Sequence, residues 1–258
     1  MSSRVAILEA KRTPIGKFLG AFRNYPAVKL GAHVAREALA SSGIAPERVG
    51  EVIFGHARQA GCGPNPARQV LVGAGVPESV TAFTVNAACG SGLKSIAVAS
   101  DDIRLGRAEH VLAGGMENMS MVPFILDRVR EGYRLGHAKL VDDMYRDGFL
   151  CPLCDMVMGE TAEVLADEFK ITREEQDGWA RLSQNRVERA NAKNLFAEEI
   201  VAVQIPGDRG EMVTVSADEH PRAGVELASL AKLPPVFKKN GTVTAGNASG
   251  ITDGAAAL

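Results

Sequence analysis

The stretch Val85-Asn86-Ala87-Ala88-Cys89-Gly90-Ser91-Gly92-Leu93-Lys94 decides how this chain folds. A strand-like run from Thr81 to Val85 leads into it and breaks into small residues. A small-residue helical pattern then runs from about Gly90 to Leu105. Strand, tight turn and helix in that order place one thiol, Cys89, at a helix N-terminus. Free backbone N–H groups and the positive end of the helix dipole favour a thiolate there. Gly90 and Gly92 let other backbone, or a substrate, approach closely. A buried structural cysteine is the plainer alternative, since a free Cys packs as a small hydrophobe. The turn argues against it.

Working outward, the first third alternates strand and helix signals. Val5–Leu8 and Val49–Phe54 read as strands, and Leu30–Ala40 as a helix stopped near Gly43. Pro66–Ala74 reads as a second helix with Pro in its first turn. Phe83–Asn86 is a strand leading to the Cys89 helix, and His110–Ala113 another, closing on Gly114-Gly115-Met116-Glu117-Asn118. This β-α-β-α-β-α-β start predicts an α/β fold, a mixed sheet covered by helices.

Residues 119–157 are irregular and rich in Met, and a segment of that length is usually functional or an interaction loop. Gly159–Phe169 and Thr172–Ala192 look helical, Thr172 being an N-cap with Glu175 three residues on. Ile200–Ile205 and Glu211–Val215 read as a hairpin around Gly207-Asp208-Arg209-Gly210, Asp218–Gly241 as loop and short helix, and Thr242–Leu258 as strand-like. The Cys89 helix carries small or apolar residues around much of its circumference (Leu93, Ile96, Ala97, Val98, Ala99) and so wants cover on both faces.

Composition narrows the class. The 258 residues are 46% hydrophobic and 23% charged, ordinary for a globular protein, with a formal net charge of −2. That balance gives no electrostatic case for nucleic acid or an anionic membrane surface. No apolar run approaches the ~18 residues of a membrane span. Four cysteines in this length make no disulfide framework, the start shows no signal-peptide pattern, and a reducing cytoplasm is the expected setting.

Six segments, in order, carry a resemblance: Glu9-Ala10-Lys11-Arg12-Thr13-Pro14-Ile15-Gly16, Gly63-Pro64-Asn65-Pro66-Ala67-Arg68-Gln69, Asn86-Ala87-Ala88-Cys89-Gly90-Ser91-Gly92, Gly114-Gly115-Met116-Glu117-Asn118-Met119-Ser120, Met158-Gly159, and Asn247-Ala248-Ser249-Gly250-Ile251-Thr252-Asp253-Gly254-Ala255-Ala256-Ala257. Together they resemble the thiolases, the acetyl-CoA acetyltransferase and 3-ketoacyl-CoA thiolase group. The resemblance implies an acyltransferase in which Cys89 takes the acyl group as a thioester, its backbone N–H contributing to an oxyanion hole. The acyl group then passes to coenzyme A in thiolysis, or to a second acetyl-CoA in condensation. It implies a thiolase-like N-terminal domain over 1–118, a loop domain over 119–245 for coenzyme A binding and oligomerisation, and a return to the first domain over 246–258.

The same resemblance implies Arg222 near the nucleotide phosphates, where a permanently charged, bidentate guanidinium suits phosphate. It implies Ser249 along the pantetheine arm, Phe149 and Met158 at the acyl pocket, and Ser229, Phe237, Ala245 and Gly246 along the cofactor channel. Read without it, these are a solvated arginine, turn residues and core. Coenzyme A and acyl-CoA are implied as substrates, with no permanently bound cofactor, no metal, and a homo-oligomer, dimer or tetramer, as the assembly. Val157 departs from the pattern: acetoacetyl-specific members often have His just before the Met-Gly pair, and Val leaves longer 3-ketoacyl chains open.

The family's activating histidine, in Gly-His-Pro, its second cysteine, in Cys-x-Gly-Gly-Gly, and its Asn-Glu-Ala-Phe segment do not occur in these residues. The chain is therefore expected to match the first two-thirds of a thiolase, without the C-terminal half, and to be inactive alone. The alternative is a non-catalytic thiolase-like module that binds acyl-CoA or a partner; a ketosynthase-type condensing enzyme is a weaker third. Cys151-Pro152-Leu153-Cys154 is half a zinc site or a redox pair by spacing. Lacking a second pair or a thioredoxin-like context, it is expected to be two free thiols. His56, after a strand, is expected to be structural rather than a base.

Overall fold

The structure, a computed structural model, describes residues 4–207 and 209–258. Met1–Ser3 and Asp208 of the hairpin turn lie outside the described residues. In chain order come β1 (Lys11–Arg12), β2 (Gly16–Lys17), α1 (Ala27–Ser42), β3 (Glu51–Gly55), α2 (Pro66–Ala74), β4 (Thr81–Val85), α3 (Ser91–Arg104) and β5 (Val111–Asn118). Short hairpin strands follow: β6 (Phe124–Leu126), β7 (Leu140–Asp142), β8 (Leu150–Cys151) and β9 (Met156–Val157). Then come α4 (Met158–Phe169), α5 (Arg173–Ala192), β10 (Val203–Pro206), β11 (Met212–Val215), α6 (Leu227–Leu230) and β12 (Thr252–Ala257).

Local sequence explains the boundaries. α1 stops at Gly43, whose φ of 72° is cheap only for glycine. α2 starts where the Asn65 side chain accepts the Arg68 N–H at 3.2 Å, with Pro66 at the first helical position. α5 opens with the reciprocal Thr172–Glu175 capping box: Glu175 accepts the Thr172 N–H at 2.8 Å and Thr172 accepts the Glu175 N–H at 3.2 Å.

Two compact units result. The first comprises residues up to Pro123 with Ala197–Glu219 and Ile251–Leu258; the second comprises Phe124–Phe196 with His220–Gly250. In the first, six strands form one mixed sheet of order β1-β12-β5-β3-β4, with β2 also on β12. β3 runs parallel to β4 and β5, while β12 runs antiparallel to β5, β1 and β2. The alternation of strand side chains sorts the core into two layers. Val52 and Phe54 of β3 join Leu112 and Met116 of β5 under α1 and α2, while Ile53 and Ala113 face α3 with Ala99 and Ile96. The mixed α/β sheet expected from the sequence is therefore the fold.

Two expectations need correction. Val5–Leu8 forms no strand: the β1–β12 ladder reaches only Lys11, opposite Ala257, and Ile7 and Leu8 are exposed. An apolar β-type segment without a ladder partner has nothing to hold it extended. Residues 119–157 are less irregular than their composition implies, holding the β6–β7 and β8–β9 hairpins and a π-helical turn over Tyr145–Phe149.

Candidate active site

Cys89 sits one residue beyond a backbone position that L-residues rarely adopt: Ala88 has φ of 50°. Such a conformation persists only where its surroundings over-determine it. They do so here. Asn86 donates from Nδ2 to Ala57 O at 3.0 Å and accepts the Ala88 N–H on Oδ1 at 2.9 Å. The Ser91 hydroxyl accepts the Ala87 N–H at 2.9 Å and donates to Ala88 O at 2.5 Å. Gly90 and Ser91 N–H close the turn onto Ala87 O and Ala88 O, each at 3.1 Å. Cys89 is thereby held exposed, with Gly90 as the N-cap of α3.

Glycines set how deeply that helix seats on the sheet. A side chain at Gly55 would run into the Ser91 backbone, and one at Gly115 would meet Gly92 Cα at 3.0 Å. The Ser95 hydroxyl lies 2.7 Å from both Gly92 O and Gly114 O, tying α3 to β5. Gly115 is thus a packing requirement of the Cys89 helix, whereas Gly114 makes room for the Phe54 ring and Ala256 O on the opposite side of the sheet. An open cleft of about 440 Å³ lies before Cys89, lined among others by Ile96, Met116, Met119 and Ala256. Mostly apolar walls with backbone close by suit a substrate that carries an aliphatic part.

The sequence reading missed Glu117 and Asp253. Glu117 accepts the N–H groups of Ala57 and Arg58, and its Oε1 lies 3.1 Å from Nε2 of the buried His56. That approach is close enough for an ion pair, but neither ring nitrogen is in line for a hydrogen bond. Burial alone would lower the His56 pKa; the neighbouring Cys62 thiol and Glu117 carboxylate outweigh it and raise it to about 9. A protonated ring beside a carboxylate has no lone pair to offer at neutral pH, which fits the structural reading of His56 better than that of a base. Asp253, buried in β12, accepts from Ser120 N–H at 3.1 Å and Ser120 Oγ at 2.6 Å, and burial raises its pKa. A carboxylate inside an otherwise small-residue strand was the available signal for both.

The remaining candidates all belong to the second unit. Phe149 is half-buried at the end of the π-helical turn, and Met158 is the exposed first residue of α4. The Phe237 ring packs against Gly159, where a Cβ would collide with it. Gly246 is similarly closed in by Leu230 and Leu233, beside α6. Ala245 and Gly246 lie in a turn fixed by Asn247, which accepts the Thr244 N–H at 2.7 Å and donates to Asp177 and to Thr242 O at 3.0 Å. Ser249 is exposed. Ser229 donates its hydroxyl back to Glu226 O at 2.7 Å. Arg222 is exposed, its backbone N–H held by Gln184 at 2.9 Å.

The family profile described as "Thiolase, N-terminal domain" matches residues 5–258. The chain belongs to the thiolase family. It is 47% identical over 254 residues to a Pseudomonas aeruginosa protein named acetyl-CoA acetyltransferase, covering 98% of this chain and 65% of that protein. It is 48% identical over 256 residues to a Staphylococcus aureus protein named probable acetyl-CoA acyltransferase, covering 99% of this chain and 65% of the relative. The crystal structure of the Bacillus anthracis acetyl-CoA acetyltransferase superposes with a TM-score of 0.93 at 42% identity, over 97% of this chain and 64% of that one. This thiolase chain therefore spans about two-thirds of the length of the relatives it matches. Among the described residues no helix is long and apolar enough to cross a membrane.

Proposed function

We propose that this chain carries the acyl-accepting part of an acyl-CoA C-acyltransferase, with Cys89 as the nucleophile. The observation that carries the reading is the Cys89 turn: an exposed thiol at the start of α3, on a strained backbone held by hydrogen bonds of its neighbours, opening onto an apolar cleft. The Cys89 thiolate attacks the carbonyl carbon of an acyl-CoA thioester. The tetrahedral oxyanion is met by the backbone N–H of Cys89, and collapse expels the coenzyme A thiolate. The acyl-enzyme is then consumed by coenzyme A in thiolysis of a 3-ketoacyl-CoA, or by the carbanion of acetyl-CoA in condensation.

Residues 119–245 are assigned as the coenzyme A-binding and assembly insertion between segments 1–118 and 246–258. Arg222 serves the phosphates; Ser249, Ser229, Phe237, Ala245 and Gly246 serve the pantetheine channel; Phe149 and Met158 serve the acyl chain. Val157 before Met158 leaves 3-ketoacyl chains longer than acetoacetyl open as substrates. The protein works as a homo-oligomer in the cytoplasm. The acid–base histidine and cysteine of the thiolase mechanism are not among these 258 residues, so the chain alone is acylated on Cys89 but shows weak or no turnover.

The test is acylation of the 258-residue chain by acetyl-CoA, followed by intact mass and peptide mapping. An adduct on Cys89, lowered roughly 10³-fold or more by Cys89→Ser, is expected. An adduct on Cys151 or Cys154 and never on Cys89 overturns the nucleophile. Coenzyme A binding with no adduct at all favours a non-catalytic acyl-CoA-binding module instead.

A further inference from the structure

The Cys151-Pro152-Leu153-Cys154 segment forms the connection of the β8–β9 hairpin, with Leu150 opposite Val157 and Cys151 opposite Met156. Asp155 closes the turn in the left-handed region, φ 53°, and donates its N–H to Cys151 O at 2.8 Å. This winding places Cys151 and Cys154 on one tight turn, Cys154 just before the closing Asp155. The neighbouring backbone N–H of Leu153, then that of Cys154, and finally the Cys154 thiol lower the Cys151 pKa. The hydrogen bond to Cys151 raises that of Cys154. The turn is open to reagents: Leu153 is 94% exposed and Cys154 is exposed, while Cys151 is half-buried.

Two thiols three residues apart on one accessible turn can bind a metal or exchange disulfides. Among the described residues no group of three or more His, Cys, Asp or Glu could hold a metal ion, so no third ligand joins this pair among them. The asymmetry of donors points to exchange.

We propose that Cys151 and Cys154 form a reversible dithiol–disulfide site that reacts with low-molecular-weight disulfides, Cys151 attacking and Cys154 resolving. The Cys151 thiolate attacks one sulfur of RSSR, forming a mixed disulfide and releasing RS⁻. Cys154, losing its proton to water, then attacks the Cys151 sulfur and releases the second RS⁻. The pair loses two electrons and two protons, and RSSR becomes two RSH. Transient regulatory disulfides of this kind are those found in reducing compartments. The hairpin is bracketed by Phe149 and Met158. The site's state therefore bears on the acyl pocket, a consequence that rests on the function proposed above, whereas disulfide formation does not.

The experiment equilibrates the full chain with mixtures of reduced and oxidised glutathione, quenches with acid, labels with a maleimide and maps the peptides. Expected is a fall from four labelled thiols to two, with Cys62 and Cys89 still labelled and the 151–154 peptide lighter by two hydrogens. Cys154→Ser should trap glutathione on Cys151, and Cys151→Ser should slow glutathionylation of Cys154 by about tenfold. A first mixed disulfide on Cys154, a bridge to Cys62, Cys89 or another chain, or full labelling of both thiols throughout overturns the proposal. So does protection only on adding zinc, at one ion per two chains, which marks a shared metal site.

Discussion

The two compact units of this chain are stabilised by opposite means. In the first, a large apolar cluster fills the space between α1, α2 and the sheet: Phe22, Leu30, Val34, Val52, Phe54, Val70 and Leu71 are all fully buried. The second buries few large apolar side chains, chiefly Met144, Leu230 and Val243, and exposes Leu135, Leu153, Phe169 and Trp179. Its interior is organised by carboxylates. Glu163, in α4, accepts N–H of Val243 at 2.7 Å, N–H of Thr242 at 2.8 Å and the Thr242 hydroxyl at 3.0 Å. Asp177 holds Arg173 at 2.8 Å and Asn247 at 3.0 Å, and Arg173 reaches Leu230 O and Leu233 O. Apolar burial gives stability without direction, whereas a buried carboxylate fixes where loops run. A segment assigned to a flexible, phosphorylated and thioester-bearing ligand is better served by the second device.

The contrast breaks most readily at Phe54, whose ring lies against Gly114 in the fully buried layer. Phe54→Ala should cost about 3–5 kcal/mol. Phe169→Ala, on a residue 66% exposed in the second unit, should stay within about 0.5 kcal/mol. Equal losses in chemical denaturation of the two variants would erase the distinction.

A smaller effect comes from His56. Its folded pKa of about 9 lies above the ordinary 6.5, so the stability it contributes is full below pH 6.5 and is lost as pH rises through 9. The ceiling is about 3 kcal/mol. His56→Gln should flatten the alkaline limb of a circular-dichroism stability profile between those two values. A wild-type profile level from pH 6 to about 9.5 would remove the His56–Glu117 ion pair from the account.

How much was legible follows the same division. The first unit's helices and strands could be read because apolar periodicity records burial, and Asn65, Gly43 and the Cys89 turn mark their own boundaries. Val5–Leu8 misled because apolar alternation reports a willingness to pair, not the presence of a partner. The second unit was legible at the Thr172–Glu175 capping box, a local device, and poorly elsewhere. Glu163 and Thr242 are 79 positions apart, and nothing in either neighbourhood announces the other. The Ala88 conformation was also hidden, since Ala is not the residue that a left-handed turn position leads one to expect.

The finest test of the comparison is at Glu163. Burial alone would raise its pKa, but the N–H groups of Val243 and Thr242 and the Thr242 hydroxyl outweigh burial and hold it below the ordinary 4.5. A depressed carboxylate contributes stability that is present above pH 4.5 and lost as pH falls through the folded value. Glu163→Gln keeps the size but replaces one accepting oxygen with an NH₂ aimed at backbone donors, which should cost about 2 kcal/mol at pH 7. The cost should shrink in acid, where the wild-type carboxylate is itself protonated. Trp179 is the chain's one tryptophan and lies in α5 of the second unit, so its fluorescence reports there. The Trp179 transition should move more than the circular-dichroism transition, to which the helices of both units contribute. If both move together by the same amount, the two units unfold as one, and their different interiors are two parts of a single cooperative structure.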